Sequence, residues 1–269
     1  MKPVPRLREQ PLFFDVFAEP WQRGAVAAPE AELARGLDVQ VVSRYGDGHG
    51  CTLVAALPRG WRGVERAVDG TLEAFVLEGE LTVPGRTVGG GGFVQIPQGS
   101  GPVALSSGAG ARVMLFWHAA LPVVFKDGWR VTSAWDEPWT TTVLDGYPAG
   151  AMHRSLRVPD PQDATAAGSE AGLLRLTMLG PGFAFTDMER HSCWEEDILL
   201  RGDMLIMDEG VFRPGSMNSH PPEWWHGPMG TKGGALFVVH CDGPIDLALR
   251  PHAGAAETLH AYLESAPWA

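Results

Sequence analysis

The chain repeats itself, and the repeat constrains its fold more than any other feature. The stretch "TLVAALPRGWRGVERAVDGTLEAFVLEGELTV" (52–83) lies beside "LLRLTMLGPGFAFTDMERHSCWEEDILLRGDMLI" (173–206). Each carries an apolar strand, a Pro/Gly turn with an aromatic after Gly, the pair Glu-Arg, a short loop, and a second strand ending in Gly and an acid. "GGGGFVQIPQGSGPVALSS" then parallels "FRPGSMNSHPPEWWHGPMG", and each unit closes on another apolar strand, "ARVMLFWHAALP" or "ALFVVHCDGP". His118 and His240 fall at matching places, and the offset is about 123 residues. A period of that length is one small domain, so the 269 residues read as two copies of one β unit.

The elements inside each copy are short. "LDVQVVSRY", "CTLVAAL", "EAFVLEGELTV", "FVQIP" and "ARVMLFWH" are strand-like runs, punctuated by turns such as "YGDGHG" and "VPGRTVGGGG". The 34 glycines and 22 prolines suit many strands and turns rather than long helices. Helical spacing is confined to "PEAELARG" and "AAETLHAYLESA". The expected fold is all-β: two β-barrels with short peripheral helices, residues 1–125 and 126–269. "FKDGWRVTSAWDEPW" reads as the passage between them, and "GSEAG" as a loop inside the second.

Charge and cysteine content narrow the function classes. A net charge of −11 offers no electrostatic footprint for nucleic acid or an anionic membrane. No apolar run approaches the roughly 20 residues that span a bilayer, and "MKPVPRLREQPLFF" lacks a signal-peptide core. Cys51, Cys193 and Cys241 are odd in number and outside CxxC spacing, which suits reduced thiols in a cytoplasmic protein. "VGGGGFV" lacks the following Lys-Ser/Thr helix of a phosphate loop and reads as the turn of the repeat.

The motifs resemble those of the cupin superfamily, small jelly-roll β-barrels, over roughly residues 38–120 and 140–250. The first cupin motif, H-x-H, three or four residues, E, six residues, G, maps onto Glu189, His191, Glu195 and Gly202. The second, G, five residues, P-x-G-x-x-H, maps onto Gly215, Pro221, Glu223 and His226. Glu189 stands in the first histidine's place and Glu223 in a glycine's. Gly182 sits one residue too far upstream. The first copy keeps Glu65, Gly79, Gly91, Pro97 and Gly99 but has Ala67, Leu72 and Pro102 at ligand positions. The resemblance thus implies one metal-competent barrel and one structural barrel. The second copy is also similar to the cupin domain of ChrR-type anti-sigma factors.

The residues themselves suit a cation. Positions i and i+2 of a strand share a face, so Glu189 and His191 do, and Glu195 can fold back beside them. With His226 they supply two imidazoles and two carboxylates, a set fit for a divalent metal with open positions. Such an ion would relieve the repulsion between buried acids. Glu196 is expected on the opposite face, since its counterpart Glu73 persists where Leu72 replaces Glu195. Asp197 shares Glu195's face as a supporting acid. His220 is expected to cap a turn or border the site, and Cys193, His240 and Trp225 are further pocket candidates. Glu189 stands open as ligand, catalytic base or partner of an arginine. Trp224 and Trp225 stand open as packing or pocket residues.

The resemblance implies a metal-dependent enzyme acting on a small organic molecule, most concretely an Fe(II) dioxygenase, with Zn, Mn or Ni as other candidate metals. An isomerase, decarboxylase or lyase is an alternative, and so is a zinc-holding sensor without turnover. The sensor reading lacks the helical sigma-binding segment that accompanies it in such regulators. Neither nucleic acid nor membrane is expected as a partner, and a homodimer is.

Overall fold

The computed structural model describes residues 11–24, 33–44, 50–65, 70–118, 129–136, 138–142, 146–157, 172–243 and 245–265. Two compact units divide them. The first contains 16–136, and the second contains 11–15, 138–157 and 172–265 among the described residues.

In the first unit a seven-stranded sheet runs in the order Arg130–Ser133, Gly92–Ile96, Thr71–Gly79, Ala111–His118, Gly50–Leu57, Asp38–Arg44, Gln22–Arg23. A four-stranded sheet, Trp61–Glu65, Val103–Ser107, Leu81–Val83 and Arg86–Val88, supplies the opposing wall. Neighbouring strands run antiparallel. Alternation sends Leu72, Ala74 and Val76 inward, where they meet Leu53, Val94, Ile96, Leu105, Leu115 and Trp117 in one apolar cluster.

The second unit repeats the plan. Its seven-stranded sheet runs Leu12–Asp15, Ser216–His220, Glu195–Gly202, Ala235–Cys241, Leu173–Leu179, Ala151–Ser155, Thr140–Thr141. The four-stranded wall is Ala184–Phe185, Met229–Gly230, Met204–Ile206 and Gly210–Phe212, and a ribbon pairs Asp187–Arg190 with Ala248–Pro251. The one α-helix among the described residues, Ala255–Glu264, buries Ala255, Leu259 and Tyr262.

The edge strands correct the boundary expected at 125/126. Leu12–Asp15 pairs along Ser216–His220 in the second unit, while Arg130–Ser133 pairs along Gly92–Ile96 in the first. An edge strand goes where its hydrogen bonds are met, so chain order does not settle its domain. Of "PEAELARG", Leu33–Gly36 forms a 3-10 turn and the remainder lies outside the described residues, as do Ala67 and "GSEAG" up to Ala171. "AAETLHAYLESA" is the α-helix.

One glycine of the repeat has a steric reason. Gly79 and Gly202 both sit at positive φ, 78° and 89°. A Cβ on them would lie 2.1 Å from the Gly110 carbonyl oxygen and 1.8 Å from that of Gly234, so only glycine fits.

Candidate metal centre

The strand register explains why the second unit is polar where the first is apolar. Leu72 lies between Trp117 and Ile96; Glu195 lies between Cys241 and His220 at the corresponding place. One step inward, Ala74, Val94 and Leu53 correspond to Asp197, Asn218 and Arg175. Farther along, Leu199 and Phe237 are buried with Phe183, Phe185, Met204 and Ile206 in the second unit's core. One end of that barrel is therefore polar and the other apolar.

Four donors converge at the polar end. His226 Nε2 lies 3.5 Å from Glu189 Oε1 and 3.4 Å from Glu195 Oε2, and His191 Nε2 lies 3.5 Å from the same Glu195 oxygen. The four residues are 4–6% exposed. Ligand atoms about 2.1 Å from a cation sit about 3.0 Å apart in an octahedron and about 3.4 Å in a tetrahedron, so these separations match a coordination shell. Glu189, His191 and His226 form one candidate cluster, and Glu195, His220 and His226 a second.

Backbone pairing holds the donors in place. Glu189 and His226 bridge each other, amide to carbonyl in both directions, at 2.9 and 3.0 Å. The Glu223 amide donates to the His191 carbonyl at 2.8 Å. Glu223 itself adopts φ +66° where the motif has a glycine, and its carboxylate pairs with Arg190. Each imidazole also has its tautomer set. His191 Nδ1 contacts the Asp246 carbonyl at 2.5 Å, and His226 Nδ1 the Trp224 carbonyl at 3.2 Å. A carbonyl only accepts, so each Nδ1 carries its hydrogen and each Nε2 is the nitrogen that faces the cluster.

The electrostatics call for positive charge. Burial pushes Glu195 up, but His191, His220 and His226 outweigh it and hold the carboxyl well below the usual range. Burial pulls His226 down, yet Glu189 and Glu195 hold the imidazole well above its ordinary value. The pocket thus keeps a proton on His226 between two carboxylates, the place a cation would take. The donor set fits a divalent metal.

Among the remaining candidates, His220 joins the cluster. Its ring stacks on His226 with centroids 3.9 Å apart, its Nδ1 lies 4.0 Å from Glu195, and its Nε2 is 2.9 Å from Glu209. Phe13, on the Leu12–Asp15 strand, tilts against it at 5.8 Å. Asp197 faces inward as alternation requires. Burial, with the Glu195 charge second, pushes its carboxyl well above the usual range. Among the described residues no hydrogen bond joins it to a candidate ligand, and its buried Oδ1 has no partner.

Three candidates move out of the pocket. His240 lies on the opposite face, 3.4 Å from Glu196, because both sit one residue off the inward row. His118 likewise contacts Glu73, at 3.2 Å, but in register His240 corresponds to Phe116 and not to His118. Trp225 is held between the guanidinium groups of Arg190 and Arg250, at 5.0 and 4.3 Å, away from the cavity lining. Cys193 is buried against Cys241, whose thiol burial pushes up, with the Cys193 hydrogen bond adding to it. All three cysteines are buried, and none is in a disulfide among the described residues.

A cavity of about 40 Å³ opens on the donors, lined by Glu189, His191 and Glu195 together with Tyr147, Arg175 and Thr177. Sequence reasoning misses the last three. Tyr147 packs on Phe185 at 4.8 Å, and burial pushes its phenol well above its ordinary value, with Glu189 and Glu195 adding to it, so it remains a donor. In the first unit the cluster has no counterpart among the described residues. There Glu65, the counterpart of Glu189, accepts the Leu33 amide at 3.0 Å.

No protein-family model matches the chain, and no curated protein matches it. Solved structures do. A Nostoc punctiforme protein provisionally named a dioxygenase is 16% identical, with TM-score 0.71 over 91% of this chain and 87% of that one. The Bacillus subtilis oxalate decarboxylase is 12% identical, with TM-score 0.55 over 99% and 86%. A cupin 2 conserved barrel domain protein from Leptotrichia buccalis is 10% identical, with TM-score 0.51 over 76% and 88%. No helix among the described residues is long and apolar enough to cross a membrane. With its all-β units, their shared strand order and these likenesses, the chain has the cupin fold, built twice.

Proposed function

We propose that this protein is a metal-dependent cupin enzyme acting on a small organic molecule, with its centre in the second barrel. Glu189, His191, Glu195 and His226 would hold a divalent cation. The observation that carries this reading is the convergence of their Nε2 and carboxylate atoms at 3.4–3.5 Å with both Nδ1 atoms already engaged. When bound, the ion supplies Lewis acidity and, if it is Fe(II), a reductant for O₂. Two imidazoles with two carboxylates suit Fe(II) or Mn(II) better than a thiolate-seeking ion. The similar Bacillus decarboxylase has Mn(II) centres, and the Nostoc protein carries a dioxygenase name. We favour an Fe(II) dioxygenase as the finer reading.

The chain's own groups have separable tasks. Glu189 borders both donors and cavity, so its carboxylate is placed to take a proton from a bound molecule. His220, stacked on His226 and tied to Glu209, fixes the His226 ring plane. The apolar end of the barrel excludes water behind the donors.

Metal analysis of protein purified without chelator tests the site, on the parent and His226→Ala. About one divalent ion per chain in the parent and a loss of most of it in the variant is expected. Equal metal content in both would overturn the assignment. O₂ consumption against diketones, catechols and keto acids then tests the oxygenase reading.

A further inference from the structure

Arg175 is a charged residue that the proposed metal chemistry leaves without a task. It stands on the inner face of the Leu173–Leu179 strand, level with Val239 and Asp197, and borders the same cavity as Glu189, His191 and Glu195. It is half-buried. Among the described residues no carboxylate lies within ion-pair distance of it, and its buried Nε has no hydrogen-bond partner. Two residues along the same face, the buried Thr177 hydroxyl also lacks a partner. A buried N–H left without an acceptor costs about 1–3 kcal/mol, which an anion meeting the guanidinium would recover.

The first unit supplies an internal control. Leu53 and Ala55 occupy the positions of Arg175 and Thr177, just as Leu72 occupies that of Glu195. All three are buried in the apolar core. The cation and hydroxyl therefore accompany the donor cluster; the barrel plan does not require them.

We infer that Arg175, with the Thr177 and Tyr147 hydroxyls, forms a carboxylate-binding arm facing the metal donors, and that the substrate is a short carboxylic acid with a metal-binding oxygen at its other end. A planar guanidinium grips both oxygens of a carboxylate at once. A guanidinium with no carboxylate in ion-pair reach matches a single carboxylate in charge. A cavity of about 40 Å³ admits only a few non-hydrogen atoms beside the donors. This inference rests on the metal-site reading for the far end of the ligand and on Arg175 alone for the near end.

The test is calorimetric titration of the metal-free and the Mn(II)-loaded full chain with pyruvate, glyoxylate, lactate and oxalate, each against its amide. The parent should bind at least one acid at least tenfold more tightly than its amide, in both forms. Arg175→Met should lose at least tenfold with its metal content unchanged, Arg175→Lys should fall between, and Thr177→Val should lose a few-fold. An Arg175→Met that binds acids as the parent does would overturn the inference, as would a parent with no preference for acid over amide. Failure of the metal site reads separately: Mn(II) would not bind, while the acid preference of metal-free protein would persist. Unchanged circular dichroism of the variants, with Arg175→Lys retaining the charge, separates misfolding from loss of the anion.

Discussion

Replacing Glu195 with leucine should convert the second barrel's site into what the first barrel already has. Leu72 fills the corresponding place between Trp117 and Ile96 and is 1% exposed. In the parent, the Glu195 carboxylate is buried among imidazoles at 3.4, 3.5 and 4.0 Å. Losing those contacts destabilises the metal-free protein, but removing a desolvated charge offsets it, because a buried ion pair is roughly as stable as an apolar pair of similar volume. His226 keeps Glu189 at 3.5 Å and His220 keeps Glu209 at 2.9 Å, so only His191 Nε2 loses its carboxylate, and its Nδ1 stays on the Asp246 carbonyl. Metal-free Glu195→Leu should therefore lie within about 2 kcal/mol of the parent. The metal-loaded proteins should separate. An ion at a thousand times its Kd stabilises the folded parent by about 4 kcal/mol. That corresponds to a Tm rise of roughly 10–15 °C for a unit of this size. Differential scanning calorimetry with and without Mn(II) or Fe(II), under argon for iron, reads both terms. Equal metal-induced shifts in parent and variant would refute the ligand role of Glu195. A metal-free variant several kcal/mol below the parent would show that Glu195 serves as a structural ion-pair partner instead.

Other outcomes follow from the local geometry. Gly202→Ala should cost about 2–4 kcal/mol in urea unfolding, combining an L-residue penalty at positive φ with the clash against Gly234, whereas Gly210→Ala, at φ 112° in open space, should cost only about 1–2 kcal/mol. Glu223→Gly removes the strain at φ +66° and the exposed Arg190 pair together, so stability should change by less than about 1 kcal/mol with metal content unchanged. Burial pushes Asp203 up, but the Tyr262 hydroxyl and the amides of Lys232 and Gly233 outweigh it and hold its carboxyl below the usual range. Its folded value being depressed, the stability it adds is complete above the unfolded value, about pH 3.9, and is lost as pH falls through the folded one. Asp203→Asn should lose about 1–3 kcal/mol at pH 7, flatten that acid limb, and raise hydrogen exchange in the Ala255–Glu264 helix it anchors through Tyr262. A variant with an unchanged acid limb would refute the anchor.

Strand alternation is a local property, which is why much of the site is legible in the sequence. Period two places Glu195 and Asp197 on one face and Glu196 on the other, and the structure shows Glu196 turned to His240. The motif spacings select Glu189, His191, Glu195 and His226, and the fold brings the four to one place. Arg175 is equally within reach: laying "RLTML" on "LVAAL" aligns it with Leu53, the same kind of exchange that singles out Glu195. It escapes notice because an arginine in a strand reads as a solvent-facing residue until the cavity is known. His240 and Trp225 are misplaced for a different reason. Trp225 adjoins a ligand in sequence, which does not fix its face, and the sequence matches His240 to His118 where the register matches it to Phe116.

The sequence by itself determined that two equal β units exist, that one is polar inside and the other apolar, and which four residues meet. These follow from periodicity and residue type, which act over a few positions. Only the tertiary structure decided that the Leu12–Asp15 strand completes the second unit, that the Asp246 and Trp224 carbonyls set the imidazole tautomers, and that Arg175 and Tyr147 line the same cavity as the donors. Each of those depends on groups far apart in the chain that only folding brings within hydrogen-bonding range.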